Sequence, residues 1–333
     1  MKPFKTHKEL IALLKSRGLV IRNDRFAERL LTYENYYAVI NGYKPLFLST
    51  TEPDDIYKSN ATFKEIFALY TFDRRLRELL LPELLRIEHT LKSKIAYTFS
   101  EKHGHKHTNY LMPDSFNSQT FENFKRTNSL IHELIKLIDK QKYKSNAVTH
   151  YIKKYGFVPV WVLAKVMTFG KVSMFYSCML ASEKEEIAKS YKLDAAKFKS
   201  LLMILTDFRN KCAHDDRIYC HSKDSTKPKP IPVLPEHEQL HIPKNNKGYK
   251  YGTKDILALL ISLKYFMQKD RYDRLLDRIY YALHNKLSKR LNSISISDVE
   301  AVMGLTVNWI ELKHSYVPEL IPEIPEANDD FCD

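Results

Sequence analysis

Apolar residues repeat every three or four positions over one long stretch of the chain, between residues 62 and 99. Such spacing places them on one face of an α-helix and therefore predicts a long core helix. Pro82 lies inside this stretch, and because proline lacks an amide hydrogen we expect a kink or a break into two helices there. The periodic residues are Leu76, Leu80, Leu84, Ile87, Leu91 and Ile95.

Helical periodicity also dominates the rest of the chain, and no alternating pattern typical of β-strands persists. Only 8 glycines occur in 333 residues, so the sequence predicts an all-α protein. The further helices that we predict span residues 6–15, 121–143, 161–180, 194–219, 255–291 and 297–314.

The pattern divides the chain into five segments. Residues 1–60 form a tyrosine-rich helical segment, and residues 61–221 form the core bundle. Residues 222–254 are an exposed basic loop rich in proline and lysine, and residues 255–316 are additional C-terminal helices. Residues 317–333 carry six acidic side chains and no basic one. This acidic tail is either a solvated terminus or a cover for a basic surface.

The chain carries 53 lysines and arginines against 40 aspartates and glutamates, a formal net charge of +13. This excess favours a polyanionic partner, because cations that neutralise phosphates release condensed counterions. An anionic membrane surface and an ordinary basic protein remain open alternatives. No apolar run approaches the roughly 20 residues of a membrane helix, and the first residues lack a leader pattern. We therefore expect a cytoplasmic protein without membrane contact.

The chain shows no pattern for a metal or a cofactor. Its four cysteines are too few and too scattered for a disulfide framework, so we expect reduced thiols. Cys212, His214, Cys220 and His221 are zinc-type ligands, but their spacing matches no zinc module, and we predict no metal site. Glycine-rich phosphate loops do not occur, so we expect no cofactor.

An arginine and a histidine near residue 210 suggest chemistry. Arg209 and His214 have the general form of a metal-independent nuclease motif, in which four to six residues separate the two. With 15 arginines and 13 histidines, chance produces about two such pairs. Three occur, so the spacing alone identifies nothing; the other two are Arg126/His132 and Arg278/His284.

The predicted helix around Arg209 distinguishes the first pair. At about 100° per residue, Asn210, His214 and Arg217 lie on one side, opposite a buried apolar stripe. Arg209 lies on the shoulder, about 140° from His214. The helix would therefore present an amide, an imidazole and a guanidinium to solvent or to a partner. The apolar stripe comprises Phe198, Leu201, Leu205, Phe208 and Cys212.

Four separated blocks carry a more specific signal. They are RNKCAHDDR at 209–217, VPVWVLAKVMTFG at 158–170, FDRRLR at 72–77, and LKSRGL at 14–19 with the later NYY at 35–37 and GY at 42–43. In this order they resemble the Abi family of bacterial abortive-infection proteins, in particular its AbiD/AbiF-like group. The resemblance spans roughly residues 1–221, and the region after it matches nothing that we can place.

The resemblance implies a branch of the HEPN superfamily, whose all-α domains commonly act on RNA. The implied fold is a HEPN-like helical bundle with an N-terminal helical extension and additional C-terminal helices. These domains often dimerise so that two Arg/His motifs face one cleft, which implies a homodimer. The resemblance further implies phage defence by growth arrest and, for some members, assembly with a small noncoding RNA.

By the same resemblance, Arg209 and His214 are the catalytic pair of a metal-independent endoribonuclease, with Asn210 as the polar residue after the arginine. This sequence departs from the family at Asp215 and Asp216, directly after the histidine. Two carboxylates beside a phosphate site repel RNA unless Arg217 or Arg209 neutralises them.

Three alternatives remain open from the residues themselves. His214 caps the helix end while Arg209 and Arg217 pair with Asp207, Asp215 or Asp216. The polar stripe docks a structured RNA without cleaving it. The helical bundle binds another protein instead of RNA.

RNA contact outside the pair is expected at basic residues interleaved with aromatic ones, because backbone phosphates and unstacked bases prefer this combination. The candidates are Lys211, Arg217, Arg74, Arg75, Arg77, Lys227, Lys229, Lys247, Tyr249, Lys250 and Tyr251.

Overall fold

The computed structural model describes residues 4–221, 230–246 and 248–314. Within these ranges helices are the main secondary structure, which confirms the all-α class. Two short antiparallel strand pairs accompany them: β1 (Leu48–Thr50) with β2 (Ile56–Tyr57), and β3 (Lys244–Asn245) with β4 (Gly248–Tyr249). Among the helices of the described residues, none combines the length and apolar character of a membrane span.

The α-helices follow one another in short steps. They are α1 (His7–Ser16), α2 (Asp24–Tyr33), α3 (Phe63–His103), α4 (His107–Tyr110), α5 (Phe121–Gln141), α6 (Asn146–Tyr155), α7 (Val160–Val166), α8 (Phe169–Cys178), α9 (Ala181–Lys189), α10 (Ala195–Ala213), α11 (Pro235–Gln239), α12 (Ile256–Lys264), α13 (Lys269–Tyr280) and α14 (Ile296–Met303). Between them lie π-helical turns at Tyr37–Asn41 and Tyr281–Leu287 and 3₁₀ turns at Lys44–Phe47, Pro113–Ser115, Ser288–Arg290 and Trp309–Lys313.

Helix α3 is 41 residues long and forms the axis of the fold. Thr62 and Glu65 form a capping box at its start, and Gly104, at a φ of 85°, follows its last residue. The helix packs against α7, α8, α9 and α10 on one side and against α13 and the following π-helical turn on another. Because it is covered on several sides, α3 is a central helix whose polar residues also meet partners from other elements.

Of the kink or break expected in α3 at Pro82, the break is wrong, because the helix continues through that residue. Proline removes only the one hydrogen bond that its own amide would have donated. Leu79, Leu80 and Leu84 around it are buried, and Pro82 itself is exposed. The packing of these leucines therefore outweighs the lost hydrogen bond and keeps the helix continuous.

Several predicted helices are shorter than the sequence indicated. The helix expected over 161–180 divides into α7 and α8, because Thr168 caps the start of a new helix. The helix expected over 255–291 divides after Lys264, and the one over 297–314 ends at Gly304 in the left-handed region. The helix expected over 194–219 stops at Ala213. In each case a cap ends a helix while apolar residues continue beyond it.

The described part of the segment predicted as an exposed loop is folded against the C-terminal helices. Glu236 of α11 is buried and accepts a 2.6 Å hydrogen bond from the Lys264 ammonium and further bonds from the Tyr265 hydroxyl. The apolar residues between the prolines bury as well: Ile231, Leu234, Leu240 and Ile242. The prediction was wrong here because isolated apolar residues in irregular backbone show no periodicity.

Glu65 ties the first turn of α3 to the C-terminal part of the chain. One carboxylate oxygen accepts hydrogen bonds from the amides of Asn292 and Ser293, both at 2.7 Å, and from the Ser293 hydroxyl. The other oxygen accepts from the amide and hydroxyl of Thr62. Burial by itself would raise the pKa of Glu65, but these hydrogen bonds outweigh it and hold the pKa below the ordinary value of 4.5.

We predict that Glu65→Gln lowers the free energy of unfolding by about 2–3 kcal/mol at neutral pH. Both oxygens of Glu65 accept hydrogen bonds, and the NH₂ group of glutamine would face donors in place of one of these oxygens. The pKa of Glu65 is lower in the folded than in the unfolded state. The ionised carboxylate therefore adds to the free energy of unfolding above the unfolded-state pKa, and this stabilisation is lost as pH falls through the folded-state pKa. Urea unfolding between pH 7 and 3 should therefore show a steeper loss of stability in the wild type than in the variant.

Glu9→Gln is the matched control, since Glu9 makes the same capping box with Thr6 in an exposed position. It should have the smaller effect. Equal effects of the two substitutions would contradict the assigned role of Glu65.

Candidate active site

The predicted pair lies at the C-terminal end of α10, where the helix meets solvent. Arg209 and Asn210 are half-buried in its last turn, and His214 is the C-cap residue, with its amide donating to the Asn210 carbonyl at 3.0 Å. The His214 side chain is exposed, and no residue of the described ranges hydrogen-bonds its ring. Since the helix ends at Ala213, Arg217 does not share a helical face with Asn210 and His214, and that part of the predicted stripe is wrong.

Glu88 of α3 holds the Arg209 guanidinium. The Arg209 Nε donates to Glu88 Oε2 at 2.6 Å, and the Lys92 ammonium lies 2.8 Å from the other carboxylate oxygen. Glu88 is almost fully buried, whereas the Arg209 side chain remains 22% exposed. Arg209 also donates from Nη1 to the amide oxygen of Asn210 at 3.3 Å. The guanidinium is therefore oriented by two neighbours and reaches solvent with the rest of its edge.

The loop after α10 is held by a buried carboxylate, Asp73 of α3. Asp73 accepts hydrogen bonds from the Tyr219 amide at 2.8 Å and from the Ile218 amide at 3.3 Å. The Tyr43 hydroxyl and the Arg77 guanidinium each donate to it at 2.6 Å. Asp73 has no solvent exposure, so these four donors replace the water that the carboxylate would otherwise bind.

Arg77 bridges Asp73 to the residue after the histidine. The Arg77 Nη2 donates to Asp215 Oδ1 at 2.6 Å. The Nη1, which donates to Asp73, also donates to the Asp216 carbonyl at 3.3 Å. Burial acts to lower the pKa of Arg77, but the carboxylates of Asp73 and Asp215 outweigh it and hold the pKa above its ordinary value. Asp215 has a φ of 58°, a left-handed conformation that turns the chain sharply away from α10.

The two carboxylates that follow His214 have cationic neighbours, which include a partner that the sequence did not suggest. Asp215 pairs with Arg77, and the Asp216 carboxylate lies 4.0 Å from the Lys211 ammonium. Neither is paired with Arg209, whose guanidinium is held by Glu88. A phosphate near His214 would therefore meet carboxylates that already have cationic neighbours.

Arg217 anchors the N-terminal segment to this loop. Its guanidinium donates to the Gly42 carbonyl, and a Cβ at Gly42 would lie 3.7 Å from the arginine stem. The next residue, Tyr43, stacks on Tyr219 with ring centroids 5.4 Å apart. The tyrosine-rich segment therefore packs between helices, and its buried part surrounds the Asp73 site.

Of the alternative in which His214 caps the helix and the arginines pair with nearby aspartates, only the first part is observed. His214 occupies the cap position, but Arg209 pairs with Glu88, Asp215 pairs with Arg77, and Asp207 accepts from the buried His221 ring. Sequence reasoning missed Glu88 and the role of Asp73. Their i,i+4 spacing to Lys92 and Arg77 is typical of ion pairs on a helix and was the available signal.

The other RNA-contact candidates lie in different surroundings. Arg77 is buried in its ion pairs. Arg74 pairs with Glu34 at 3.0 Å, and Arg75 is exposed and pairs with Glu78. Lys250 is exposed and lies above the Tyr251 ring, and the half-buried Tyr249 ring contacts His237. Lys227, Lys229 and Lys247 lie outside the described residues.

Metal ligands are not assembled in the part of the chain that the structure describes. No group of three or more His, Cys, Asp or Glu side chains there could hold an ion. Cys212 is buried against α3, and burial raises the pKa of its thiol to about 12, which keeps it protonated at neutral pH. The arrangement therefore offers an imidazole and an oriented guanidinium as its chemical groups.

A sequence model for the Abi-like protein family matches residues 29–220, more than half of the chain. The matched range contains α3 and α10 and therefore every residue of the Glu88–Arg209 and Asp73–Arg77 contacts. No curated protein and no solved structure matches the chain.

We predict that Asp73→Asn lowers the free energy of unfolding by about 3–5 kcal/mol, because it removes the buried carboxylate of the pair and leaves Arg77 only the exposed Asp215. Amide exchange at Ile218 and Tyr219 should also accelerate, since both amides donate to Asp73. Chemical unfolding together with hydrogen exchange measures the two effects. Asp216→Asn is the control, and this exposed position should change stability by less than about 0.5 kcal/mol. A change below about 1 kcal/mol for Asp73→Asn would contradict the role assigned to the buried pair.

Proposed function

The chain belongs to the Abi-like protein family, and on that premise we propose that it is an abortive-infection effector that cleaves RNA without a metal ion. The observation that carries this proposal is the end of α10, where His214 is exposed at the C-cap and Arg209, five residues earlier, is oriented by Glu88. A HEPN-type assignment of the bundle belongs to the same proposal.

Cleavage of RNA by its own 2′-hydroxyl needs two proton transfers and a cation. A base removes the 2′-hydroxyl proton as that oxygen attacks phosphorus, and an acid protonates the departing 5′-oxygen. An imidazole can serve either step near neutral pH, and a guanidinium matches the oxygens of the pentavalent phosphorane. His214 would supply one proton transfer and Arg209 the charge stabilisation, and the product would end in a 2′,3′-cyclic phosphate.

One histidine per chain supplies only one of the two proton-transfer groups. The exposed position of His214 leaves it accessible to a second chain. We therefore include a homodimer in the proposal, with two copies of the α10 end facing one RNA. Restraint by, or assembly with, a small noncoding RNA is part of the same family-based proposal.

A second candidate function has its own support. Arg209 already donates to Glu88 through Nε, so only part of its guanidinium edge is available for a phosphate. This favours a module that docks a structured RNA and does not cut it. The two functions differ in the effect of a single substitution at His214.

We predict that His214→Ala lowers the rate of RNA cleavage about 10²–10⁴-fold, the usual contribution of a general acid or base. The measurement is a cleavage assay with a chelator present, with product ends tested for 2′,3′-cyclic phosphate. His132→Ala is a matched control, because His132 is also exposed and belongs to an Arg/His pair of similar spacing. Intact RNA with the wild type, retained at moderate salt, would overturn cleavage and support the docking module.

A further inference from the structure

A groove runs between α3 and the segment that follows α13. Its volume is about 610 Å³. One wall comes from α3 and the other from α13 and the π-helical and 3₁₀ turns after it. We call it the basic groove; its lining includes Tyr281 and the charged residues Arg74, Arg75, Glu78, Asp277, Arg278, Lys286 and Arg290.

Cations line both walls of the basic groove and outnumber its two carboxylates. Glu78 pairs with Arg75, and Asp277 lies 2.7 Å from Lys313, which is not a lining residue. On the C-terminal wall, Arg278 and Arg290 are exposed, and neither forms an ion pair with any residue in the described ranges. The excess positive charge of the groove therefore lies on its C-terminal wall, because the two arginines of the α3 wall are already paired with Glu34 and Glu78.

The bottom of the basic groove is apolar and includes one exposed aromatic ring. Ala68, Phe72, Ala282 and Leu287 line its base. Tyr281 is 53% exposed, and the Lys286 ammonium lies above its ring, 5.3 Å from the centroid. An exposed tyrosine beside cations is the usual platform on which an unpaired base stacks while its phosphate is neutralised.

The basic groove adjoins the α10 end through α3. Arg74 lines the groove, and Arg77, about 4.5 Å further along the helix axis, holds Asp215 next to His214. The same helix therefore carries residues of both the groove and the candidate site. The Arg74 pairing with Glu34 orients this arginine at the junction.

We propose that the basic groove binds a single-stranded segment of RNA, with Tyr281 stacking on a base and Arg278 and Arg290 contacting phosphates. The proposal rests on RNA as the ligand in the proposed function and extends it to a surface half of which lies outside the family match. A single RNA strand can lie within a concave site, whereas a flat membrane surface would contact only its rim.

The test is binding of a fluorescein-labelled 12-nucleotide single-stranded RNA by anisotropy, with every protein carrying His214→Ala to prevent cleavage. Arg278→Gln/Arg290→Gln should weaken binding at least about tenfold at 0.15 M salt. The slope of log affinity against log salt should fall by about 1.4, because each phosphate contact to a single strand contributes about 0.7. Lys136→Gln/Lys140→Gln, on the exposed face of α5, removes the same charge and is the control.

Tyr281 separates stacking from charge. Tyr281→Leu should weaken binding by at least about fivefold with an unchanged salt slope, and Tyr281→Phe should bind like the parent because it keeps the ring. An Arg278/Arg290 variant no weaker than the α5 control overturns the groove, even where the wild type cleaves RNA. Groove-dependent binding with no cleavage by the wild type supports the groove and overturns only the nuclease. Competition by a polyglutamate peptide as effective as the RNA itself also overturns the assignment.

Discussion

The buried Asp73 carboxylate is the constraint on which the candidate site depends. It joins three parts of the chain that are distant in sequence: the tyrosine-rich N-terminal segment through Tyr43, the central helix through Arg77, and the loop after α10 through two amides. A carboxylate without solvent access is stable only when donors surround it, so all three parts must be in place together. The position of His214 is a consequence of this requirement.

Four arginines of the chain form two groups with different structural roles. Arg77 and Arg209 contact buried carboxylates of α3 and are oriented by them. Arg278 and Arg290 stand in solvent on the C-terminal wall of the groove. The first group shapes the end of α10 and the second adds long-range attraction. A formal charge of +13 therefore does not describe one uniform surface, since part of the positive charge is consumed inside the fold.

The sequence predicted the all-α class and the long central helix, because apolar periodicity reports directly on which face of a helix is buried. It also predicted one helix that contains Arg209, Asn210 and His214, and the structure places them in the last turn and at the C-cap of α10. It did not predict that α10 stops at Ala213, since the left-handed turn at Asp215 depends on Arg77 from a helix more than 130 residues earlier. The pairing of Glu88 with Arg209 was missed because these residues are also far apart in sequence, and the spacing of Glu88 to Lys92 already indicates a local ion pair. The fold of residues 230–246 was missed because its buried residues follow no period.

The unbroken course of α3 through Pro82 limits how this protein can change. Glu65, Asp73, Arg77 and Glu88 all lie on one continuous helix, in which each residue advances by about 100° and 1.5 Å. Inserting one residue between Arg77 and Glu88 would swing Glu88 away from Arg209 while Asp73 kept its hold on the loop. An insertion of about seven residues would nearly restore the angle but move Glu88 along the axis by about 10 Å. Homologous chains should therefore vary α3 by substitution and keep its length between these positions.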